Sequence, residues 1–266
     1  MFLFIRRLYL GYGIITLGRI LMKNIVITGG TSGVGFAIAK EIANEGHNII
    51  IVGRHEHKAH VAQKNLGNNV KVVIGDLSNE AEREGVIDEI KRLFSHIDVL
   101  IHSAGVLPHN AIENIHVNLL PHYYLTTGLR GLLANSRVLI ITGHPQAVNL
   151  VPICEIQSSA FSRAAWVITH KILLMILLNQ MLRDCNTTVN SFYPGQVNSS
   201  LMRYTEKTDN TEVPVGAYLA LNATLEKMSG IFFDENGKIV QLDNKKYNVK
   251  TAEKILAPYL SKITTY

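Results

Sequence analysis

"KNIVITGGTSGVGFAIAKEIANEG", Lys23 to Gly46, decides the fold. KNIVIT is a short β-branched run ending in glycines, the pattern of a strand covered on both faces. GFAIAKEIANEG carries apolar residues at helical spacing and stops at a glycine. Between them lies TGGTSGVG, Thr28 to Gly35. Glycines at a strand-to-helix turn let the backbone approach a pyrophosphate, and the start of the helix offers unpaired amides to the anion. A tight turn that needs positive φ explains a single glycine. It does not call for Gly29, Gly33 and Gly35 together with Thr31 and Ser32.

Outward from this unit the pattern repeats. HNIIIVGR (47–54), NVKVVIGDL (69–77), HIDVLIHSAG (96–105), SRVLIITG (136–143) and TTVNSFYPG (187–195) read as five further strands. Helical spacing predicts helices over roughly 79–94, 111–133, 162–183 and 214–225. Each crossover is long enough for a helix to pack back on a parallel sheet. The strands are near-continuously apolar, so both faces are covered. No repeat, low-complexity tract or linker interrupts residues 22–266. One α/β domain follows: a Rossmann-type doubly wound fold, a mostly parallel sheet with helices on both faces.

Residues 1–21, MFLFIRRLYLGYGIITLGRIL, stand apart. Arg6, Arg7 and Arg19 confine the uncharged stretch to Leu8–Gly18, short of the roughly 20 apolar residues of a membrane-crossing helix. No small-residue cleavage site follows, so the stretch does not read as a secretory signal. It is read as a leader outside the fold, with the domain starting at Met22; an interfacial membrane anchor is the lesser alternative.

The 266 residues are 47% hydrophobic and 18% charged, the balance of an ordinary globular chain. The net charge is +5, but basic residues are scattered with no run longer than two, which excludes a nucleic-acid groove. Cys154 and Cys185 fall in no metal-ligand spacing, so no metal site is expected. Reduced thiols in a cytoplasmic protein are the expectation.

With these residues in view, the glycine turn resembles the Thr-Gly-x-x-x-Gly-x-Gly motif of the short-chain dehydrogenase/reductase family. The resemblance continues in order from Met22 onward. GDL (75–77) is similar to the segment whose aspartate meets the adenine, here Asp76 with Leu77. HSAG (102–105) resembles the Asn-Asn-Ala-Gly turn, here Ser103, Ala104 and Gly105. VNLLPHYYLT (117–126) resembles the segment carrying the active-site asparagine, here Asn118, and Pro121 is expected to bend that helix and free a backbone carbonyl. YPGQVNSS (193–200) resembles the turn at the nicotinamide end, here Pro194, Gly195 and Val197. The tail, PVGAYLAL…SGIFFDENGKIV followed by a last helix, is similar to the retinol-dehydrogenase-like branch. The resemblance implies that Gly29, Thr31, Ser32, Gly33, Val34 and Gly35 hold the cofactor phosphates. It also implies a homodimer, with the apolar helix KILLMILLNQML in the contact.

Cofactor choice rests on the end of the second strand of the domain. An acidic residue there would bind the ribose hydroxyls of NAD. Gly53 and Arg54 stand there instead, and a guanidinium pairs with a 2′-phosphate, so NADP is expected over NAD. His57 and Lys58 either reinforce that charge or lie on a helix surface.

The resemblance implies a tetrad of asparagine, serine, tyrosine and lysine, in which the lysine lowers the tyrosine's pKa from about 10. Asn118 is present. At the serine position stands Gly143, with Thr142 before and His144 after. Two registers are open for the other pair. In the first, which is preferred, Trp166 fills the tyrosine position, Thr169 precedes and His170 replaces the lysine. In the second, Lys171 is the lysine and Val167 takes the tyrosine position. Neither contains a tyrosine. His144, His170, Thr142 and Tyr193 are the conceivable substitutes, each weighed against an ordinary surface or packing role. Two expectations stand. One is an NADP-dependent oxidoreductase acting on a small carbonyl or alcohol with an atypical proton donor. The other is a non-catalytic NADP-binding regulatory or sensor protein. The polar segment Leu201–Asn210, where the family's substrate lid lies, suggests an open site.

Overall fold

The computed structural model describes residues 7–9, 14–16, 21–199, 201 and 205–260. Most of the 1–21 leader, and residues 202–204 of the expected lid, therefore lie outside the described residues. Within the leader, β1 (Arg7–Tyr9) and β2 (Ile14–Thr16) pair antiparallel.

The domain is built on eight strands: β3 (Asn24–Thr28), β4 (Asn48–Gly53), β5 (Val70–Ile74), β6 (Val99–His102), β7 (Arg137–Ile141), β8 (Thr188–Phe192), β9 (Phe232–Phe233) and β10 (Ile239–Val240). Their order is β10-β9-β8-β7-β6-β3-β4-β5. All neighbours are parallel except the β9–β10 pair. This is the doubly wound fold read from the alternating pattern. β3 sits between β4 and β6, with Ile25 opposite both Ile49 and Val99. The chain runs from β3 out to β5 and then crosses back to β6. The direction of winding thus reverses beside β3, and in doubly wound sheets ligands bind outside the carboxyl ends of the strands at such a point.

Alternation along β3 divides the core. Ile25 and Ile27 pack on one face with Ile38 and Ile42 of α1 (Gly33–Asn44) and Leu219 of α8 (Pro214–Leu221). Val26 packs on the other face with Val86 and Ile90 of α3 (Glu80–Leu93), Leu125 of α5 (Leu120–Gly128) and Leu173 of α7 (Ala160–Met181). These strand residues are wholly buried. Each buried side chain of this size contributes about 1.5–3 kcal/mol, and truncating one to Ala costs about 2–5 kcal/mol.

Caps set the helix ends. Asn79 caps α3 by accepting from the Glu82 amide, with Glu80 and Glu82 in the first turn and Lys91 and Arg92 in the last. Ser159 and Ser162 form a reciprocal capping box at the start of α7. The helix expected over 111–133 is divided into α4 (Ala111–Asn118), α5 and a 3₁₀ turn at Arg130–Leu132. Pro121 lacks the N–H that would bond Val117, and the chain breaks at Leu119, φ −121° and ψ −63°. The helix expected over 214–225 stops at Leu221, because the Asn222 side chain accepts from the Thr224 amide and starts a separate 3₁₀ turn.

Among the described residues three α-helices remain. α2 (Glu56–Leu66) is polar and buries only Ala59 and Ala62, so periodicity did not reveal it. α6 is Pro145–Leu150 and α9 is Val249–Leu256. α7 is long and apolar enough to cross a membrane by length and composition, but most of it is buried against the sheet and α9.

Candidate active site

The glycine-rich turn leaves β3 at the carboxyl edge, beside the point where the winding reverses. Gly29 has φ +66°, and a Cβ there would lie 2.9 Å from the Ala104 backbone. Gly33 has φ +53°. A Cβ on Gly35 would lie 2.5 Å from the Gly29 carbonyl oxygen. A side chain at Gly29 or Gly35 would collide with the chain's own backbone, and the positive φ of Gly29 and Gly33 favours glycine there as well. Ser32 caps α1 through its backbone only, so the first amides of α1 have no side-chain acceptor. The Thr28 hydroxyl accepts from the amides of Ser103 and Ala104, 3.1 Å each, and fixes the turn after β6 beside the glycine turn.

The other cofactor residues named from sequence border the same edge. Gly53, at the end of β4, has no room for a Cβ because Thr31 Cγ2 would lie 2.4 Å from it. The exposed Arg54 that follows is thereby set next to the glycine turn. Burial raises the Asp76 carboxyl, but hydrogen bonds from the Ser78 hydroxyl and amide and the charge of Arg54 outweigh it and leave it below its usual range. Leu77 and Val197 are buried in the core clusters and Val34 packs against one, so their backbones, not their side chains, border the crevice. Pro194 leads into Gly195, φ +84°. These residues fit a dinucleotide: free amides at a helix start, glycines where a Cβ would obstruct, and a guanidinium at the end of β4.

The reacting end lies between the turn after β6, the end of β7 and α7. Asn118 spends its whole side chain on structure: Oδ1 accepts from Val106 N at 2.9 Å, and Nδ2 donates to Val106 O and Asn114 Oδ1. Lys171 Nζ donates to Ile141 O at 3.2 Å. A Cβ on exposed Gly105 would lie 3.7 Å from that amine and 3.0 Å from Asn118 Oδ1. Burial lowers the Lys171 amine to about 8. The Thr142 hydroxyl donates to Ile168 O at 3.2 Å, and a Cβ on Gly143 would lie 2.4 Å from Ile168 Cγ2. His144 is exposed; its Nδ1 accepts from Gln146 N, and its ring meets Tyr193 edge-on, centroids 5.1 Å apart.

Trp166 and His170 are not part of this end. Both are wholly buried and stack on each other at 3.9 Å, with Tyr259 edge-on to both rings. His170 Nδ1 donates to Trp166 O, and Nε2 lies 3.3 Å from Glu155 Oε1, an ion-pair distance without hydrogen-bond alignment. Tyr259 donates to the other Glu155 oxygen at 2.5 Å. This corrects the preferred register. The helix turns Lys171 toward Asn118 and Gly105, with Val167 one turn before it, and turns Trp166 and His170 into the core.

Two residues escaped the sequence reading. His102 and His122 stack at 4.8 Å, both buried, and His102 Nε2 lies 2.7 Å from Thr126 Oγ1. Burial, with the charge of Lys171 added, lowers His102 to about 3 and His122 well below its ordinary value. Histidines in apolar strand and helix patterns give no sequence signal of such pairing.

A family model described as short chain dehydrogenase matches residues 23–148. An uncharacterized oxidoreductase of Staphylococcus haemolyticus is 27% identical over 191 residues, covering 69% of this chain and 80% of the relative. Human retinol dehydrogenase 12 is 27% identical over 269 residues, covering 88% of this chain and 84% of the relative. The solved 3-ketoacyl-(acyl-carrier-protein) reductase of Brucella melitensis, complexed with NADH, superposes with a TM-score of 0.65 at 19% identity. That match covers 80% of this chain and 96% of the reductase.

Proposed function

The chain belongs to the short-chain dehydrogenase/reductase family, on its retinol-dehydrogenase-like side, and from that premise we propose that it is an NADP-dependent oxidoreductase acting on a small carbonyl or alcohol with an atypical catalytic set. The observation that carries this reading is the glycine turn at the winding reversal, whose first helix amides lack a side-chain cap, with Arg54 following the adjacent β4. The bound nicotinamide supplies hydride chemistry. Gly29, Thr31, Ser32, Gly33, Val34 and Gly35 would hold its phosphates through the turn and the start of α1, and Arg54 would pair with the 2′-phosphate. Asp76 and Leu77 would border the adenine, Ser103, Ala104 and Gly105 would line the cofactor from the turn after β6, and Pro194, Gly195 and Val197 would border the nicotinamide.

At the reacting end two side chains can deliver a proton. Lys171 is buried, with its amine held by Ile141 O and close beneath Gly105. His144 stands at the surface against Tyr193. Thr142 already donates its hydroxyl to α7, so it does not polarise a substrate oxygen without releasing that bond. Trp166 and His170 are left out of the chemistry.

One observation favours a second reading, a nucleotide-binding sensor without turnover. Ile168 fills the space a side chain at 143 would need, and Val167 stands one turn before Lys171, so no hydroxyl faces the amine from either position. Losing a general acid costs about 10²–10⁴-fold, and losing an oxyanion donor about 10²–10³-fold more. Fluorescence titration with NADPH and NADH, followed by a reduction assay on a carbonyl panel, separates the readings. Tight NADPH binding with turnover that falls in Lys171→Met or His144→Ala supports the oxidoreductase. Binding without turnover supports the sensor, and no binding of either nucleotide sinks both. By resemblance the chain is also proposed to be a cytoplasmic homodimer.

A further inference from the structure

We propose that Lys171 is a covalent carbonyl-binding site, whose amine condenses with a small aldehyde or ketone to form a reversible imine. The inference deepens the reading of the same cleft, but it depends neither on cofactor binding nor on turnover.

The geometry sets Lys171 apart from the other lysines. It lies in the middle of α7 with 8% of its surface exposed. Among the described residues it has no carboxylate partner; its hydrogen bond goes to one backbone carbonyl, Ile141 O. Its charge acts on two titratable rings, His102 and His122, both buried and both kept neutral chiefly by burial. An ammonium in that setting is desolvated and uncompensated, which favours the neutral, nucleophilic amine.

The amine lies close beneath an exposed glycine. Exposed Gly105 overlies the amine, and only its hydrogen stands where a Cβ would come within 3.7 Å of Nζ. Val167, one turn before, offers neither a proton nor a charge, and the Thr142 hydroxyl is turned to Ile168 O. The amine therefore lies under an exposed glycine, and from positions 142, 143 and 167 no phenol, serine or carboxylate holds it as a positioned cation. Desolvated lysines of this kind are nucleophiles toward carbonyl carbon.

The step balances without a redox partner. The Nζ lone pair forms the C–N bond while the carbonyl π pair moves to oxygen, and a proton passes from nitrogen to that oxygen. The carbinolamine then loses its hydroxyl as water, with a proton taken from solvent. The nitrogen pair closes the C=N bond, and the remaining N–H proton returns to solvent. One carbonyl and one amine become one imine and one water.

The test uses the full chain at pH 7 without cofactor. The protein is incubated with butanal and cyanoborohydride, which reduces any imine to a stable secondary amine, and the labelled lysines are located by peptide mass mapping. An amine titrating near 8 is neutral in about a tenth of molecules at pH 7. An ordinary lysine, near 10.4, is neutral in about 0.04%. Lys171 is therefore expected to label roughly 100-fold faster or more than exposed lysines such as Lys58 in the same molecule. Labelling spread over the exposed lysines, with Lys171 no faster, overturns the proposal. So does labelling of Lys171 that requires urea. Because the comparison is internal, it needs no variant to fold. NADPH binding measured on the same sample separates the outcomes: binding without Lys171 labelling removes this inference alone, and labelling without NADPH binding supports it while removing the cofactor reading.

Discussion

Replacing Gly143 by Ser, the residue the family pattern asks for, is expected to destabilise the protein unless Ile168 is reduced at the same time. A Cβ on Gly143 would stand 2.4 Å from Ile168 Cγ2 and 3.3 Å from its Cβ. Carbon atoms in contact prefer about 3.5–4.0 Å, so one side must give by more than an ångström. Ile168 is β-branched and helical, with essentially one χ1 rotamer open to it, so the methyl cannot swing aside. Overpacking of this kind costs about 1–3 kcal/mol, equivalent to a fall of roughly 2–4 °C in Tm for each kcal/mol in a chain near this size. Ile168→Ala removes the obstructing carbon. It costs stability of its own, less than the roughly 2–5 kcal/mol of a fully buried site, because Ile168 is only half-buried. The double variant Gly143→Ser/Ile168→Ala should be more stable than the sum of the single effects by about 1–3 kcal/mol, within the range seen for contacting residues. Urea unfolding of the parent, both single variants and the double variant measures this, read as midpoint shifts at constant slope. Additivity to within about 0.5 kcal/mol, or a Gly143→Ser protein as stable as the parent, would refute the argument that Ile168 and Gly143 occupy one space.

Further predictions follow from the same contacts. Adding Val167→Tyr to the double variant supplies a phenol one turn before Lys171, and carbonyl reduction should rise by about 10²–10⁴-fold; the same phenol introduced by Trp166→Tyr, inside the core, should give no gain. Arg54→Asp should weaken NADPH binding by about 10–100-fold, the worth of a charged hydrogen bond, and leave NADH binding no weaker, read by fluorescence titration. Gly35→Ala places a methyl 2.5 Å from the Gly29 carbonyl oxygen, so binding of both nucleotides should be lost while the circular dichroism stays helical. Burial lowers both His102 and His122, so below the ordinary histidine value, about 6.5, the unfolded chain binds more protons than the folded one. Stability should be full above that pH and fall between about 6.5 and 3, with a slope of up to about 1.4 kcal/mol per pH unit for each imidazole. His122→Phe should flatten that slope in acid unfolding curves, and an unchanged slope would count against the buried pair as its source.

The division between sequence and tertiary structure follows the range of the interactions. The sheet, its winding and the glycine turn were legible because each depends on local periodicity and on glycines in one short stretch. Ile25, Val26 and Ile27 alternate in residues that are adjacent in the chain, and each side chain's face is settled by its neighbours. The places of Asn118, at the end of α4, and of Arg54, just past β4, were readable because motifs at fixed spacing carry them. α2 was not legible, because a helix with only Ala59 and Ala62 buried leaves no apolar stripe.

The reacting end depended on contacts between distant segments. Trp166, Val167, His170 and Lys171 are near neighbours in α7, and a helix gives each a different direction, so spacing alone left two registers open. What settled their directions was packing: Tyr259 near the end of the described chain and Glu155 in the loop before α7 draw Trp166 and His170 inward, and Lys171 is left facing Gly105. The same holds for Ile168 against Gly143, and for His102 beside His122. Apolar and glycine positions report what the chain does locally. Which side chain fills a space left by another is decided only when segments far apart in the sequence are brought into contact.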